Sequence, residues 1–377
     1  MFKNTISLCN SFLQMGIPGY DLIVFKNGEC VLRHMDGYSD KENGIVMHGD
    51  ELFNIFSCSK PITCVAAMQL WEKGIFQLED KLSDYMPEFA DMYVKTPNGL
   101  VKANGPIRIH HLFEMTAGLN YNINTTTLLA LKQESNGCCP TREVARAIAA
   151  EPLDFHPGER YQYSLCHDVL AALLEVISEQ PFESYVKQHI FDPLGMIHSD
   201  FLLPIENYKN VAPLYRGSDG NVIPNPSGNI SAYRLGSQHA SGGAGCVSTV
   251  NDYIKFAEAL RVGNVILAKD TIRLMTTNRL TEAQRGNYGS TGNGYGLGLR
   301  VGAGAANGRY DFGWGGAAGA FLAIDPIHNI SLFYVQHVLS APNMALRQQL
   351  YSAVLEDLEG ITPQNRTVDP ALNNLTY

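Results

Sequence analysis

Residues 56–89, FSCSKPITCVAAMQLWEKGIFQLEDKLSDYMPEF, carry the pattern on which the fold and the chemistry of this chain depend. Ser57 and Lys60 stand three positions apart, and the apolar run after them ends at Gly74, which predicts a buried helix. Residues three apart share one face of a helix, so the Lys60 amine can reach the Ser57 oxygen. Because a serine hydroxyl is a weak nucleophile until a base takes its proton, this pair is a candidate nucleophile and base.

Other sequence patterns give weaker or negative signals. A second S-x-x-K occurs at Ser184 and Lys187, but it lies in a polar helical stretch, and we interpret it as a solvated helix face. The sequence has no G-x-S-x-G nucleophile elbow, no P-loop and no H-E-x-x-H motif. Residues 313–318 match a dinucleotide fingerprint in form, but they lead into the strand-like AFLAID where that fingerprint needs a helix, so we reject it.

The composition of the 377 residues sets the class of protein. Apolar residues make up 45% and charged residues 17%, as in a globular chain, and the net charge of −9 argues against nucleic acid as a partner. No apolar stretch is long enough to predict a membrane span, and the N-terminus lacks a signal-peptide pattern, so we expect a cytoplasmic location.

The sequence shows no arrangement of cysteines and histidines typical of a metal site. The cysteines form no C-x-x-C pair, and the adjacent His110 and His111 should face different ways on a helix. We therefore expect no metal and no cofactor.

Strand patterns at both ends of the chain flank a helical middle. The β-rich runs around Asn27-Gly28 predict a hairpin, and residues 320–338 predict two strands around a turn. Helical spacing dominates from about 105 to 200, whereas Gly, Pro, Asn and Ser predict long loops over 205–245. The economical architecture is a single sheet built from both ends of the chain.

These elements predict the fold class α/β (α+β), with an antiparallel sheet flanked by helices plus an all-helical domain. We expect residues 1–95 and 240–377 to form a discontinuous mixed α/β sheet domain. Residues 96–239 should form a mainly helical domain with long loops. A small-molecule site is expected in the cleft between the two domains.

Four further segments carry a resemblance to a known family. The Ser57 segment resembles the nucleophile segment of the serine β-lactamase-like, penicillin-binding superfamily, in the branch of class C β-lactamases, D,D-peptidases and esterases of that fold. The likeness continues in the same order as that family through four segments, which are IRIHHLFEMTAGL, FHPGERYQYSLCHDVLAALLEVIS, FDPLGM and FGWGGAAGAFLAIDP. The resemblance implies a β-lactamase/transpeptidase-like fold. It is much less specific for the substrate.

The resemblance also assigns roles to residues of this chain. Tyr163 corresponds to the tyrosine of the second motif, which implies a general base whose pKa a neighbouring lysine lowers, while the nearby Tyr161 is interpreted as packing. The backbone N–H groups of Ser57 and Ala317 would form the oxyanion hole. The residues expected to line the substrate site are Trp314, Gly315, Gly316, Leu165 and Tyr121.

Two departures from the family pattern bear on function. Trp314 replaces the usual Lys or His of the third motif, and Leu165 replaces the Asn of the second, so neither can hold the carboxylate or amide of a β-lactam or peptide. We therefore expect a serine hydrolase that forms an acyl-enzyme, and specifically a carboxylesterase acting on small apolar esters. The alternatives are a β-lactamase or D-amino-acid peptidase, an acyltransferase, and a penicillin-binding sensor without turnover. Arg300 is the one basic residue expected to be able to replace the missing contacts. The oligomeric state stays open.

Overall fold

The computed structural model describes residues 1–288, 292–304 and 308–361. The last part of the expected sheet domain, residues 362–377, lies outside the described residues. Within the described ranges, no helix is long and apolar enough to cross a membrane. The cytoplasmic location stays a prediction.

The secondary structure follows the predicted order of strands, helices and strands. The strands β1 to β15 are Gly19–Lys26, Glu29–Asp40, Ile45–Val46, Phe53–Asn54, Tyr93–Thr96, Gly99–Lys102, Tyr215–Ser218, Asn221–Pro224, Val247–Ser248, Gly294–Tyr295, Arg300–Val301, Phe312–Gly313, Phe321–Asp325, Ile330–Val335 and Val338–Leu339. The helices α1 to α13 are Lys3–Gln14, Ser59–Glu72, Ile109–Phe113, Thr126–Glu134, Thr141–Ala149, Cys166–Ser178, Phe182–Val186, Asp192–Leu194, Val250–Val262, Lys269–Met275, Glu282–Tyr288, Met344–Arg347 and Gln349–Glu359. Short 3₁₀ turns occupy Phe56–Cys58, Leu82–Asp84, Pro87–Phe89 and Ile205–Asn210, and a π-helical turn occupies Lys187–Phe191.

The main sheet joins the two ends of the chain. Its eight strands run in the order β10-β11-β12-β13-β14-β1-β2-β3, and each neighbouring pair is antiparallel. β1 pairs with β14, so that Ile23 stands opposite Phe333. Asn27 and Gly28 both adopt positive φ, 54° and 86°, in the turn between β1 and β2, as a two-residue hairpin requires. The predicted hairpin and the predicted single sheet are confirmed.

Both faces of this sheet are covered by helices. Leu22 and Val24 on β1 pack in one apolar cluster with Phe12 of α1 and with residues of α13. Ile23 points to the opposite face and belongs to the larger core that contains Tyr253 of α9. This alternation follows from the two-residue period of a strand, and it explains why the first six residues of β1 are buried on both faces of the sheet.

Helix α2, which follows the nucleophile candidate, is the central helix of the molecule. It is buried along almost its whole length and packs against α6. A helix that is apolar on all sides is stable only inside a core, and α2 has no polar face that would hold it at the surface. The structure therefore holds the first turn of α2 rigidly.

The region 205–245 differs from the prediction of long loops. It contains the β7–β8 hairpin, and β15 pairs with β7 in parallel to give a three-stranded sheet. The turn is formed by Asp219 and Gly220, which adopt φ values of 48° and 80°. Asp-Gly is a strong signal for a two-residue hairpin, and the abundance of loop-forming residues around it obscured that signal.

Candidate active site

Ser57 lies in the tight turn directly before α2, with 1% of its surface exposed. The preceding Phe56 adopts a φ of 48°, a strained conformation for a bulky residue that is held by its surroundings. The Ser59 hydroxyl donates to the carbonyl of Phe56 at 2.6 Å and accepts from the N–H of Cys246 at 2.9 Å. Ser59 thus stabilises the turn, and the Ser57 hydroxyl faces the site.

Lys60 contacts Ser57 as the helical spacing predicts. Its Nζ donates to Oγ of Ser57 at 3.2 Å, to the hydroxyl of Tyr121 at 3.2 Å and to the carbonyl of Gly243 at 2.7 Å. The side chain is fully buried. The three acceptors satisfy the three donors of an ammonium, so the Lys60 amine is held in one place.

Tyr163 completes the set of three polar groups. Its hydroxyl donates to Oγ of Ser57 at 2.6 Å. Its ring stacks on that of Tyr121 with centroids 5.1 Å apart, and Nζ of Lys60 lies 4.5 Å from the Tyr163 centroid. The sequence-predicted Ser57, Lys60 and Tyr163 therefore meet at one oxygen atom, although Tyr163 is more than a hundred residues away along the chain.

The electrostatics of the site bring the pKa of Lys60 close to neutral pH. Burial lowers the pKa of Lys60 to about 7, and the nearby Asp168 carboxylate opposes that shift. A substantial fraction of the amine is therefore unprotonated near neutral pH. An unprotonated amine beside a serine hydroxyl can accept its proton.

The expected lowering of the Tyr163 pKa is wrong in direction. Burial raises the pKa of Tyr163, and the hydrogen bond with Ser57 offsets that effect only in part. The prediction assumed a permanently charged lysine next to the phenol, whereas burial also makes the Lys60 charge costly. Tyr163 in the resting site is a neutral phenol, and its hydroxyl donates a hydrogen bond to Oγ of Ser57.

The third motif lies against the nucleophile turn because of Gly316. A Cβ atom built on Gly316 would lie 2.3 Å from the carbonyl oxygen of Ile55, so only glycine permits this approach. Gly315 forms a β-bridge with Phe321, which aligns the motif with the sheet. Trp314 has no exposed surface and packs against the rings of Tyr163 and Tyr295.

Ala317 follows the glycines in an apolar cluster that we call the Ala317 cluster. The cluster also contains Phe56, which adjoins the nucleophile, and Tyr233, which packs edge-to-face on Tyr121 at 5.1 Å. Its buried members are Phe56, Leu214, Tyr233, Ala244, Ala317, Ala318 and Leu339. The surroundings of Ala317 are therefore aromatic and aliphatic.

Two other predicted residues lie elsewhere. Leu165 is buried at the start of α6 and lines a small cavity with Leu119 and Ile148, and no described contact joins its side chain to Ser57. Arg300 is 1% exposed and forms a buried ion pair with Asp311 on the neighbouring part of the sheet. The idea that Arg300 is available for a substrate carboxylate is therefore wrong.

The remaining sequence candidates have structural surroundings. Tyr161 packs edge-to-face on Tyr295 with centroids 5.3 Å apart, as expected for a packing residue. His110 and His111 do not point apart as expected, because their ring centroids are 4.2 Å apart; His110 bonds to Glu114, whereas His111 accepts from the backbone before α3. No metal-binding group of His, Cys, Asp or Glu occurs in the described part of the chain.

The second S-x-x-K pattern lies on the surface. Ser184 and Lys187 are both exposed, and Lys187 forms an ion pair with Asp192. The interpretation of this pattern as a solvated helix face is confirmed.

Sequence reasoning foresaw one further contributor to the site only in part and missed another. The glycine pair Gly242-Gly243 in the sequence predicts either a close approach of the backbone to the site or a turn. The structure places the Gly243 carbonyl in the shortest of the three hydrogen bonds of Lys60. Tyr233 lies in a Gly- and Ser-rich segment without any periodic signal. Only the three-dimensional packing places its ring on Tyr121.

An antiparallel sheet flanked by helices, with a buried serine that accepts from a lysine and a tyrosine, defines a serine hydrolase of the β-lactamase/transpeptidase-like fold. The chain belongs to the Beta-lactamase family, whose model matches residues 10–354. This membership confirms the resemblance inferred from the sequence motifs.

Several known proteins are similar to this chain. A Mycobacterium tuberculosis protein of uncharacterized function, MT1414, is 30% identical over 338 residues, which cover 80% of this chain and 81% of that protein. Esterase EstB of Burkholderia gladioli is 28% identical over 368 residues, covering 89% of this chain and 91% of EstB. The structure of EstCE1, a hydrolase with promiscuous acyltransferase activity, superposes with a TM-score of 0.79 at 24% identity, covering 93% of this chain and 97% of EstCE1. That structural likeness shows a shared fold.

Proposed function

We propose that this protein is a carboxylesterase that hydrolyses small apolar esters through an acyl-enzyme on Ser57. One observation carries the proposal: Oγ of Ser57 accepts hydrogen bonds from both Lys60 and Tyr163. The similarity to esterase EstB supports the same class of substrate.

Acylation begins with proton transfer from Ser57 to Lys60. The neutral amine of Lys60 takes the hydroxyl proton while Oγ forms a bond to the ester carbonyl carbon. The carbonyl oxygen becomes an oxyanion, and the backbone N–H groups of Ser57 and Ala317 are proposed to stabilise it. The closeness of Gly316 to Ile55 brings these two backbone segments together.

Tyr163 is proposed to act as the general acid for the leaving group. Its phenol proton passes to the departing alkoxide oxygen, and the Lys60 ammonium then returns a proton to the phenolate. The alcohol leaves with one proton, and the acyl group stays on Ser57. Deacylation runs in reverse, with water as the nucleophile in place of the alcohol, and it releases a carboxylic acid.

The apolar character of the site favours esters over charged substrates. The Ala317 cluster beside the proposed oxyanion hole is buried, and the partly buried Tyr121 and Ile123 pack against it. An apolar substrate group buried against these two side chains would gain about 25 cal/mol per Å². Trp314 places a neutral indole where β-lactamases of this branch carry a cation, and Arg300 is held by Asp311. Tyr121 is proposed to border the acyl group, because it contacts both Lys60 and Tyr163. Leu165 enters this proposal only because a leucine at this position of the second motif has no amide side chain that could hold a substrate.

A paired assay with p-nitrophenyl butyrate and nitrocefin tests this proposal. A substrate carboxylate or amide without a partner loses about 1–3 kcal/mol for each missing hydrogen bond, so kcat/KM should favour the ester by at least about 100-fold. A higher kcat/KM for nitrocefin would replace the esterase proposal with a β-lactamase. Acylation by either compound without turnover would indicate a sensor. Faster release of p-nitrophenol with added alcohol, together with formation of a new ester, would indicate an acyltransferase.

Tyr163→Phe should lower kcat by about 10²–10⁴-fold, because it removes the proposed acid with almost no change in volume. The hydroxyl touches Ser57 and does not anchor the fold, so the melting temperature should change little. Tyr161→Phe is the matched control, since Tyr161 packs on Tyr295 away from Ser57. Near-normal turnover in Tyr163→Phe with loss in Tyr161→Phe would show that the wrong tyrosine has been assigned.

A further inference from the structure

Asp168, in the first turn of α6, is a buried carboxylate that the proposed mechanism does not use. It is 3% exposed, and its Oδ1 accepts from the Ser241 hydroxyl at 2.5 Å. Its Oδ2 is also buried and has no hydrogen-bond partner among the residues that the structure describes. A buried carboxylate oxygen is costly without compensation, so a nearby positive charge is expected.

Gly243 lies beside both this oxygen and Lys60. A Cβ atom built on Gly243 would lie 2.6 Å from Oδ2 of Asp168 and 3.5 Å from Nζ of Lys60. Since both atoms lie within 4 Å of one point, they are closer together than the screening length of about 8 Å in physiological salt. The Gly243 carbonyl meanwhile accepts from Lys60 at 2.7 Å and fixes the amine on this side of the site.

We propose that Asp168 is the buried counter-ion of Lys60 and, acting across Gly243, sets the pH at which Ser57 becomes nucleophilic. Asp168 touches neither Ser57 nor the proposed substrate position, so it is a positioning residue that acts through Lys60. The inference rests on the proposed role of Lys60 as the base. A side chain at position 243 would displace the Asp168 carboxylate from this place, because a Cβ there would lie 2.6 Å from Oδ2.

The other titratable groups around Lys60 do not supply this charge. Burial raises the pKa of Cys64 and Cys166 and keeps their thiols neutral. Burial lowers the pKa of His167 to about 3, so that ring is neutral as well. The groups that face Lys60 and Asp168 from α2, α6 and the adjoining loops are Ser57, Cys58, Cys64, Tyr121, Tyr163, Cys166, His167, Tyr233 and His239. None of these groups is a carboxylate, so among the described residues that face Lys60 the negative charge comes from Asp168.

The test is the pH dependence of Ser57 labelling by a fluorophosphonate in Asp168→Asn. A carboxylate favours the ammonium form of Lys60, so its removal should move the midpoint of the labelling rate to lower pH by about one to two units. The rate on the alkaline plateau should change less than the rate at pH 6. A purely structural role would lower the rate at every pH without moving the midpoint.

Two comparison variants make the result specific. Asp168→Glu retains the charge, and its midpoint should stay near that of the unmodified protein. Asp252→Asn removes another buried carboxylate, which bonds to His198 and Lys255 away from the site, and it should leave the midpoint unchanged. An unchanged or higher midpoint in Asp168→Asn would overturn the proposal.

Labelling by a fluorophosphonate does not depend on which ester is the substrate. A shifted midpoint in a protein that fails to hydrolyse p-nitrophenyl butyrate would support Asp168 and refute only the carboxylesterase proposal. Should Asp168→Asn fail to fold, Asp168→Ser supplies a smaller neutral replacement with the same expected shift. Should both variants fail to fold, the midpoint of the pH dependence of Ser57 labelling is measured in the unmodified protein at about 0.05 M and about 1 M NaCl. Salt screens a buried charge pair weakly, so the proposal predicts little change in the midpoint. A large change would overturn it.

Discussion

Ser57→Ala should lower ester turnover by at least about 10⁴-fold while leaving the protein folded. The hydroxyl is the proposed nucleophile, and it accepts from Lys60 and Tyr163 without holding any backbone group in place. Removing one oxygen from a buried position leaves a small space, and Lys60 keeps its acceptors on Tyr121 and Gly243. Steady-state hydrolysis of p-nitrophenyl butyrate, with the melting temperature measured alongside, checks both parts of this expectation.

The second S-x-x-K pattern supplies a matched control for this variant. Ser184→Ala alters an exposed hydroxyl on α7 and should leave turnover within about twofold of the unmodified protein. Labelling by a fluorophosphonate should vanish in Ser57→Ala and persist in Ser184→Ala. Turnover that survives in Ser57→Ala would contradict the assignment of the nucleophile.

Lys60→Met should lower kcat by about 10²–10⁴-fold, because methionine keeps an unbranched chain but cannot accept the serine proton. In the unmodified protein, kcat/KM should rise as pH increases, with a midpoint near 7, because Lys60 must lose its proton to act as a base. That rise should disappear in Lys60→Met. Rate measurements from about pH 5 to 9, corrected for spontaneous ester hydrolysis, report both effects.

Lys187→Met is the control for a lost lysine. Lys187 is exposed and pairs with Asp192, and an exposed pair of this kind contributes little to stability. The variant should keep both the rate and the midpoint near pH 7. A Lys60→Met protein that retains the same pH profile as the unmodified protein would show that a different group accepts the proton.

The parts of the site that sequence could predict are those fixed by short-range geometry. Three residues separate Ser57 and Lys60, and helical spacing alone brings their side chains together. The Asn27-Gly28 turn is likewise a local property of two residues that tolerate positive φ. Tyr163 lies far away in sequence, and only the resemblance to a family motif placed it beside Ser57.

The features that sequence could not predict depend on burial and long-range packing. The direction of the Tyr163 pKa shift follows from how completely the site is enclosed, which no single segment encodes. The sequence suggested that Arg300 was available to bind a substrate carboxylate. Its ion-pair partner Asp311 directly precedes the neighbouring strand β12, so the segment around Arg300 gave no sign of the pair. The contact of Gly243 with Lys60 joins a loop to a helix across the core, and the glycine pair in the sequence indicated a close backbone approach without its partner.

The most direct test of the central claim is to trap the acyl-enzyme. The protein is mixed with excess p-nitrophenyl butyrate, quenched in acid within the first turnover and analysed by intact-mass and peptide mass spectrometry. The account predicts a mass increase of one butyryl group, located on Ser57 and stronger in Tyr163→Phe if that variant slows deacylation more than acylation. A butyryl group on another residue, or rapid ester hydrolysis that leaves Ser57 unmodified at every quench time, would contradict it.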